Sequence, residues 1–193
     1  EDSMVCVDCR DGSLKWCNRF SADKGGSYNT FPQVATLPNE GGRKVVIAGT
    51  LPGGFYAIYL DDGSLYWEVH LPLAFTTASP TLGPGDGMMY VAHNHPGDTA
   101  GQIYAVDLKD KSFKWSYDCS RPWAPRMPVT QVPVIVPSEL TESKAGDIVV
   151  LGLGSFIAGN ESDRELLVAV NGELHGELVG LDAETGQERW SFK

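Results

Sequence analysis

Four tryptophans stand in one repeating sequence frame, which constrains the fold more than any other feature of the chain. The aligned segments run from Met4 to Trp16, Phe55 to Trp67, Gln102 to Trp115 and Glu177 to Trp190. The four tryptophans are 51, 48 and 75 residues apart. In every segment, alternating apolar residues precede a turn, which indicates a pair of strands. Strand–turn–strand units repeated at this period are typical of a β-propeller or a β-solenoid.

Each repeat reads as four short antiparallel strands, although the first repeat contains only the last two. The predicted strands are 31–37, 43–48, 55–60 and 64–69, then 75–82, 88–93, 102–108 and 112–117, then 127–136, 147–153, 177–182 and 187–192. The tight turns Asp62-Gly63 and Thr185-Gly186 are hairpin signals. The sequence therefore predicts an all-β chain, with residues 1–193 forming part of one β-propeller: three full four-stranded blades and the outer half of a fourth.

The charge balance excludes two classes of partner. The 193 residues carry 15 Lys and Arg against 25 Asp and Glu, a formal net charge of −10. No basic stripe is present to neutralise phosphates, which argues against nucleic acid and against an anionic membrane surface. No apolar stretch reaches the ~18 residues that a membrane helix needs. We therefore expect protein or small-molecule partners.

Two of the four cysteines lie on the two arms of the first hairpin. Cys6 and Cys17 are expected on the same side of this hairpin for a loop of either two or four residues. Two readings follow: a disulfide in an oxidising compartment, or two small buried apolar side chains. Cys6 and Cys9 have the CxxC spacing, but residues three apart in a strand point to opposite faces, which argues against zinc.

The segment Leu181 to Trp190 resembles the tryptophan-docking repeat of the quinoprotein (pyrroloquinoline quinone) β-propellers. In that family the pattern is a hydrophobic residue, Asp, Ala, any residue, Thr-Gly, three residues and Trp. The other three copies keep the Trp, while Tyr59 and Lys111 depart from the pattern. The resemblance implies that each indole stacks on small residues of the next blade. The implied docking residues are Trp16, Trp67, Trp115 and Trp190.

The same resemblance implies how many blades a complete propeller has and where the protein is located. Propellers of this family have seven or eight blades, whereas this chain supplies three and a half. We therefore expect either a fragment of a larger propeller or a half completed by another polypeptide, with the remaining blades or a protein partner covering the open edges. The isolated chain is expected to associate. The resemblance also favours an extracytoplasmic or secreted location.

Loop length varies most on the propeller face opposite the tight turns, and variable loops on a rigid scaffold are where binding sites are usually built. Two clusters on that face are candidates. In the first, two histidines and an aspartate are either metal ligands or residues of an ordinary hydrated turn. In the second, an aromatic residue between two arginines has either an interface or anion-binding role, or a packing role. The candidate binding residues are His93, His95 and Asp98 in the first cluster, and Arg121, Trp123 and Arg126 in the second.

Two classes of function remain open. A dehydrogenase that uses pyrroloquinoline quinone would carry calcium ligands, a catalytic Asp and commonly a disulfide between adjacent cysteines, none of which can be matched to residues of this chain. The sequence therefore favours a non-catalytic scaffold without a cofactor, which binds protein through its loop-rich face. The alternatives are a fragment of such a dehydrogenase and a propeller that binds a small ligand or carbohydrate.

Overall fold

The structure is a computed structural model, and it describes most of the chain. The described residues are 3–19, 27–28, 30–51, 53–71, 79–93, 101–122, 129, 132–140, 146–154 and 176–193. Within these ranges the chain forms strands, turns and three short 3-10 helices. The helical segments are Pro38–Glu40, Pro84–Asp86 and Ser138–Leu140. The predicted all-β class is confirmed.

The strands, numbered in chain order, fall into four groups. The first group contains β1 (Met4–Val7) and β2 (Leu14–Asn18). The second contains β3 (Ser27–Tyr28), β4 (Gln33–Leu37), β5 (Arg43–Leu51), β6 (Gly54–Tyr59) and β7 (Leu65–His70). The third group contains β8 (Thr81–Leu82), β9 (Met88–His93), β10 (Gln102–Asp107) and β11 (Ser112–Asp118). The fourth contains β12 (Val134–Val136), β13 (Ile148–Leu153), β14 (Glu177–Asp182) and β15 (Glu188–Phe192).

Each group forms one antiparallel sheet in which consecutive strands pair, except that β3 does not pair with β4. The first sheet contains β1 and β2 alone, and the others are meanders whose outer three strands are β5–β7, β9–β11 and β13–β15. The prediction of three full blades and an outer half-blade is thereby confirmed. One detail differs: β3 and β4 both pair with β5, so the innermost strand of the second blade is interrupted. Parts of the predicted strands 75–82 and 127–136 lie outside the described residues.

The hydrophobic core is divided among the three contacts between neighbouring sheets, which we call joints. The first joint packs Trp16 against Tyr56 and Ile58. The second and third joints are larger, with 12 buried residues each. The two middle sheets are apolar on both faces, because each contributes one face to each of two joints. The apolar contacts between blades therefore hold the arc together.

A β-bulge interrupts the outer hairpin of every sheet at the same place. Strand pairing shifts by one residue just before the frame Trp, so that one residue is left without an opposite partner in the neighbouring strand. The extra residues are Lys15, Tyr66, Lys114 and Arg189. A bulge re-aims its extra side chain and increases local twist. In three repeats this side chain contacts the last residue of the preceding strand, and in the first repeat it contacts Asp8, which directly follows β1.

In three repeats the re-aimed side chain is basic and binds an aspartate. Lys15 Nζ lies 3.4 Å from Asp8 Oδ2, and Lys114 Nζ lies 3.1 Å from Asp107 Oδ2. Arg189 bonds to Asp182 in the same way. The same aspartates also accept backbone N–H bonds within their turns, as in Asp107 Oδ1 from the Lys109 amide at 2.8 Å. The aspartate therefore fixes both the turn and the bulge.

The second repeat replaces this ion pair with an aromatic pair. Tyr59 and Tyr66 occupy the aspartate and basic positions, and their ring centroids are 5.3 Å apart in an edge-to-face arrangement. The Arg43 guanidinium carbon lies 3.5 Å from the centroid of the Tyr59 ring, and the guanidinium also donates to Asp61. Both members of the ion pair are thus replaced by tyrosine in this repeat, and an aromatic contact takes the place of the salt bridge.

We predict that the Asp182 contact stabilises the fold in a pH-dependent way. Burial acts to raise the pKa of Asp182, but the Arg189 guanidinium and the Thr185 amide outweigh it and lower the pKa from 3.8 to about 2. Because the folded pKa is depressed, the stabilisation is present above about pH 4 and is lost as the pH falls toward 2. Asp182→Asn should therefore unfold more readily than wild type near neutral pH, and the difference should shrink below about pH 4 and disappear as the pH falls through 2.

Urea unfolding of both proteins across this pH range tests the prediction. Glu184→Gln is the matched control, since Glu184 is an exposed carboxylate in the same turn. A difference between wild type and Asp182→Asn that stayed constant with pH would contradict a role for the ionised carboxylate.

The bulge also corrects the prediction for the first hairpin. The loop has four residues, as the bond from the Asp8 amide to the Ser13 carbonyl shows. Beyond the bulge, however, Cys6 pairs with Trp16 and Cys17 pairs with Val5, so the two thiols lie on opposite faces. Both are free: Cys6 is partly buried and Cys17 is exposed. The expected same-side geometry, and with it the disulfide between Cys6 and Cys17, is not formed.

Candidate functional site

The predicted binding residues follow the strands that end on the loop-rich face, and the structure describes two of the six. His93 ends β9, and Arg121 lies shortly after β11. The other four lie outside the described residues: His95, Asp98, Trp123 and Arg126. Those four therefore stay predictions, while the surroundings of the two described residues show how the base of this face is built.

His93 lies inside the fold rather than on the surface of the loop face. Its side chain is fully buried, and its ring stacks on Tyr104 with centroids 5.0 Å apart and planes inclined by 11°. The Tyr104 hydroxyl donates to the Gln102 side-chain oxygen at 2.5 Å. His93 is thus part of a packed aromatic pair at the end of the strand. Among the described residues, no group of three His, Cys, Asp or Glu side chains could hold a metal ion.

Arg121 connects the third blade to the fourth. Its Nε donates to Glu177 Oε2 at 2.9 Å, and its Nη2 lies 3.5 Å from Glu188 Oε2. The Tyr117 hydroxyl donates to the same Glu188 oxygen. The exposed fractions of the Arg121 and Glu177 side chains are 11% and 2%, so this ion pair is shielded from water. We call these four residues the Arg121 cluster.

The protonation of the Arg121 cluster follows from its burial and pairing. Burial acts to raise the pKa of Glu177, but the bond from Arg121 outweighs it and lowers this pKa overall. Burial acts to lower the pKa of Arg121, and the bonds to Glu177 and Tyr117 raise it overall. Both groups are therefore charged at neutral pH. A buried pair of this kind is costly to break from one side, because the remaining charge is left without its partner.

The Arg121 cluster holds the chain in place shortly before Trp123 and Arg126 in the sequence. The guanidinium is held by acidic groups of the next blade, and its Nη1 also donates to the Ser120 carbonyl at 3.1 Å. Sequence reasoning identified Arg121 but missed Glu177 and Glu188, which lie more than fifty residues away in the chain. Their only sequence signal is acidic character at the start of two strands in an otherwise apolar sheet.

Three of the four frame tryptophans, Trp16, Trp67 and Trp115, lie at the joints. Trp16 Nε1 donates to the Leu60 carbonyl at 3.0 Å, and Trp115 Nε1 donates to the Ala183 carbonyl at 3.1 Å. Their rings cover glycines in the turn of the next blade: a Cβ placed on Gly63 would lie 2.7 Å from Trp16. The corresponding distance from Gly186 to Trp115 is 2.6 Å.

The remaining two tryptophans depart from this arrangement for different reasons. Trp67 is 4% exposed and packs in the second joint, where the turn position of the next blade is Lys111. Lys111 adopts a φ of 57°, and its Nζ lies 4.6 Å from the centroid of the Tyr66 ring. Trp190 belongs to the last sheet and is 40% exposed, so the described residues show no following blade on which its indole docks.

The sheet architecture and the joints define the class of this protein as a β-propeller of four-stranded antiparallel blades, present here as a partial ring. The family profile described as the outer membrane protein assembly factor BamB matches residues 1–193. The chain belongs to this family of proteins with quinoprotein-like repeats. No curated protein sequence matches it significantly.

Several solved structures share the fold. BamB from Moraxella catarrhalis superposes with a TM-score of 0.57 at 16% identity, over 100% of this chain and 46% of that one. Quinohemoprotein alcohol dehydrogenase ADHIIG from Pseudomonas putida HK5 gives 0.65 at 17% identity, over 99% and 31%. Quinohemoprotein alcohol dehydrogenase from Comamonas testosteroni gives 0.61 at 16% identity, over 99% and 32%. The chain thus spans less than half the length of each.

No helix in the described part of the chain is both long enough and apolar enough to span a membrane.

Proposed function

We propose that this propeller is a non-catalytic assembly scaffold that binds protein through its loop-rich face. The observation that carries the proposal is the match of the BamB profile to the whole chain, since that family is described by a role in assembling outer membrane proteins. The Arg121 cluster supports it, because it holds the base of one variable loop rigidly against the next blade. A rigid base lowers the entropic cost of binding through the loop above it.

In this proposal the frame tryptophans serve the scaffold and take no part in ligand binding. Trp16 and Trp115 each combine a ring contact with an indole N–H bond across a joint. Contacts of this kind set the angle between successive blades and therefore the relative positions of their loops. The candidate partner-binding residues remain His95, Asp98, Trp123 and Arg126, which follow His93 and Arg121 in the sequence.

Site-specific photocrosslinking in cells tests the proposed face. A photoreactive residue at position 123 or 95 should crosslink to one or more defined proteins of the outer membrane assembly machinery. The matched control is position 62, which is exposed in a tight turn on the opposite face. Equal crosslinking from both faces, or crosslinking from position 62 alone, would contradict binding through the loop-rich face.

The alternative function, as part of a dehydrogenase, is favoured by the likeness in fold to two quinohemoprotein alcohol dehydrogenases. The discriminating measurement is the absorbance spectrum of the purified chain after incubation with pyrroloquinoline quinone and calcium. A bound chromophore that survives gel filtration would favour the dehydrogenase. The scaffold proposal expects the quinone to elute separately from the protein.

A further inference from the structure

The second joint carries unusual residues at four positions of the outer hairpins that border it. At each joint the preceding blade supplies the acidic and basic frame positions, and the following blade supplies the turn position and the residue two before its Trp. In the first joint these four residues are Asp8, Lys15, Gly63 and Leu65, and in the third they are Asp107, Lys114, Gly186 and Glu188. In the second joint they are Tyr59, Tyr66, Lys111 and Phe113.

The structure brings these four residues of the second joint together. Both tyrosines pack against the core of this joint, and Lys111 Nζ lies over the Tyr66 ring. Phe113 comes two residues after Lys111 and pairs across its hairpin with Val106, which is buried in the same joint. Because paired residues of neighbouring strands point to the same face, Phe113 lies on the side of its blade that meets the second blade. We call Tyr59, Tyr66, Lys111 and Phe113 the rim patch.

The rim patch is accessible although a blade lies on each side of it. Phe113 is 45% exposed, Lys111 is exposed, and the two tyrosines are half-buried. The residue aligned with Phe113 is part of a closed contact at the other two joints. Leu65 is partly buried against the core of the first joint, and Glu188 accepts bonds from the Arg121 cluster in the third. Of the three described joints, the second therefore leaves an aromatic side chain open at this position.

Folding alone does not account for the residues of the rim patch. Lys111 adopts a left-handed backbone with φ of 57° where the other three repeats have glycine, and a residue with a Cβ is disfavoured in this conformation. Asp107 and Asp182 each accept two backbone N–H bonds in their turns, whereas Tyr59 gives up this role. Local departures from an otherwise consistent pattern concentrate at functional sites. Tyrosine is also among the residues that dominate the binding energy of protein interfaces.

The charge on Lys111 indicates what kind of ligand fits the rim patch. The basic residues at the bulges each pair with an aspartate. No described carboxylate pairs with Lys111, whose ammonium contacts the Tyr66 ring instead. A ligand that matches the patch therefore brings a carboxylate to Lys111 and an apolar side chain to Phe113. The net charge of −10 opposes a run of acidic residues, so a single carboxylate fits better than several.

We propose that the rim patch binds a segment of a partner protein in which one Asp or Glu stands next to an apolar or aromatic residue. The carboxylate of this segment pairs with Lys111. Its apolar side chain packs against Phe113 and Tyr66, where it removes exposed aromatic surface from water.

The rim patch is distinct from the loop-rich face. Lys111 lies in one of the tight turns, which are on the opposite side of the blades from the variable loops. Asp62 belongs to a different turn, whose Gly63 is covered by Trp16 at the first joint. Binding at the rim patch and binding through the loop-rich face are therefore tested by separate measurements, and failure of either leaves the other standing.

Random peptides displayed on phage and selected on the immobilised protein test the proposal. The double variant Lys111→Gly with Phe113→Leu serves for counter-selection, because it carries the residues that the second repeat has at these positions, Gly63 and Leu65. Peptides enriched on wild type over this variant should contain Asp or Glu next to an apolar residue. Their synthetic, fluorescently labelled forms should bind the variant at least about tenfold more weakly in anisotropy titrations.

The folding of the double variant and the contribution of nearby charge are controlled separately. The denaturation midpoint of the variant should equal or exceed that of wild type, since glycine relieves the backbone strain and Phe113 is largely exposed. Lys109→Ala removes an exposed lysine from the same turn and should change peptide affinity less than about twofold, because long-range charge is screened.

A double-mutant cycle tests the assigned ion pair. Lys111→Gln removes the charge and keeps a long side chain, and the peptide is synthesised with Asn or Gln in place of its acidic residue. Each change alone should weaken binding, and the two together should weaken it no further than either one. Additive losses, or selected peptides that bind wild type and the double variant equally, would overturn the proposal.

Two further outcomes would also overturn it. One is that selection yields no peptide that distinguishes wild type from the double variant. The other is that sedimentation velocity shows self-association of wild type that the double variant lacks, because the occupant of the rim patch would then be a second copy of this chain.

Discussion

Replacement of Trp67 by Ala should lower the free energy of unfolding by about 3 to 5 kcal/mol, the range found for large aromatic residues in protein cores. Trp67 is 4% exposed and packs between the second and third sheets. Its loss removes apolar contacts and leaves a cavity that the surrounding strands cannot fill. Chemical denaturation followed by circular dichroism measures the effect as a shift in the midpoint.

Trp190→Ala is the matched control for this prediction, because the same residue type occupies the same repeat position without a following sheet. Its 40% exposure predicts a much smaller loss, measured at a concentration low enough to keep the chain monomeric. Similar losses for the two variants would show that the stability depends on packing within each sheet, and would contradict stabilisation through the joint.

Gly63→Ala should destabilise the fold by about 1 to 3 kcal/mol more than Gly12→Ala, the usual cost of overpacking a core. Both glycines occupy the same turn position, with φ of +75° and +73°. Any L-residue with a side chain therefore meets the same backbone strain at both, about 1 kcal/mol or more. Only Gly63 lies beneath an indole, which a new Cβ would approach to 2.7 Å.

Denaturant unfolding of the two alanine variants, again at low concentration, provides the measurement. Gly186→Ala should behave as Gly63→Ala does, since Trp115 covers it in the same way. Lys111, which has a φ of 57° at the corresponding position, shows that the turn itself accepts a side chain. If Gly12→Ala and Gly63→Ala lost the same free energy, backbone strain alone would explain both.

The strand pattern was readable from the sequence because it depends on local alternation and on turn residues. The predicted strands 88–93 and 177–182 coincide with β9 and β14, and most of the others differ by a residue or two. The bulges could not be read in the same way, because an extra residue leaves the apolar pattern on either side nearly intact. That is why Cys6 and Cys17 were expected on one side of the hairpin. The one sequence signal of the bulge contact was that the aspartate and basic positions are both tyrosine in the second repeat, at Tyr59 and Tyr66.

The candidate site was only partly predictable. Arg121 stood out because it and Arg126 flank a short segment in which Trp123 stands between two prolines, which is local information. Its partners Glu177 and Glu188 come from another blade, and no periodicity links them to Arg121. The burial of His93 depends on stacking against Tyr104 in the neighbouring strand, so the strand-end position alone suggested a more accessible residue.

The division of the core among three joints makes the molecule a linear array with nearest-neighbour coupling. No sheet has an interior of its own, so an isolated blade would lose the apolar contacts that order it. Detaching an end sheet breaks one coupling, whereas detaching a middle sheet breaks two. The free-energy cost of local opening therefore rises from the ends of the arc toward its centre, and a substitution at either middle sheet is felt on both of its sides.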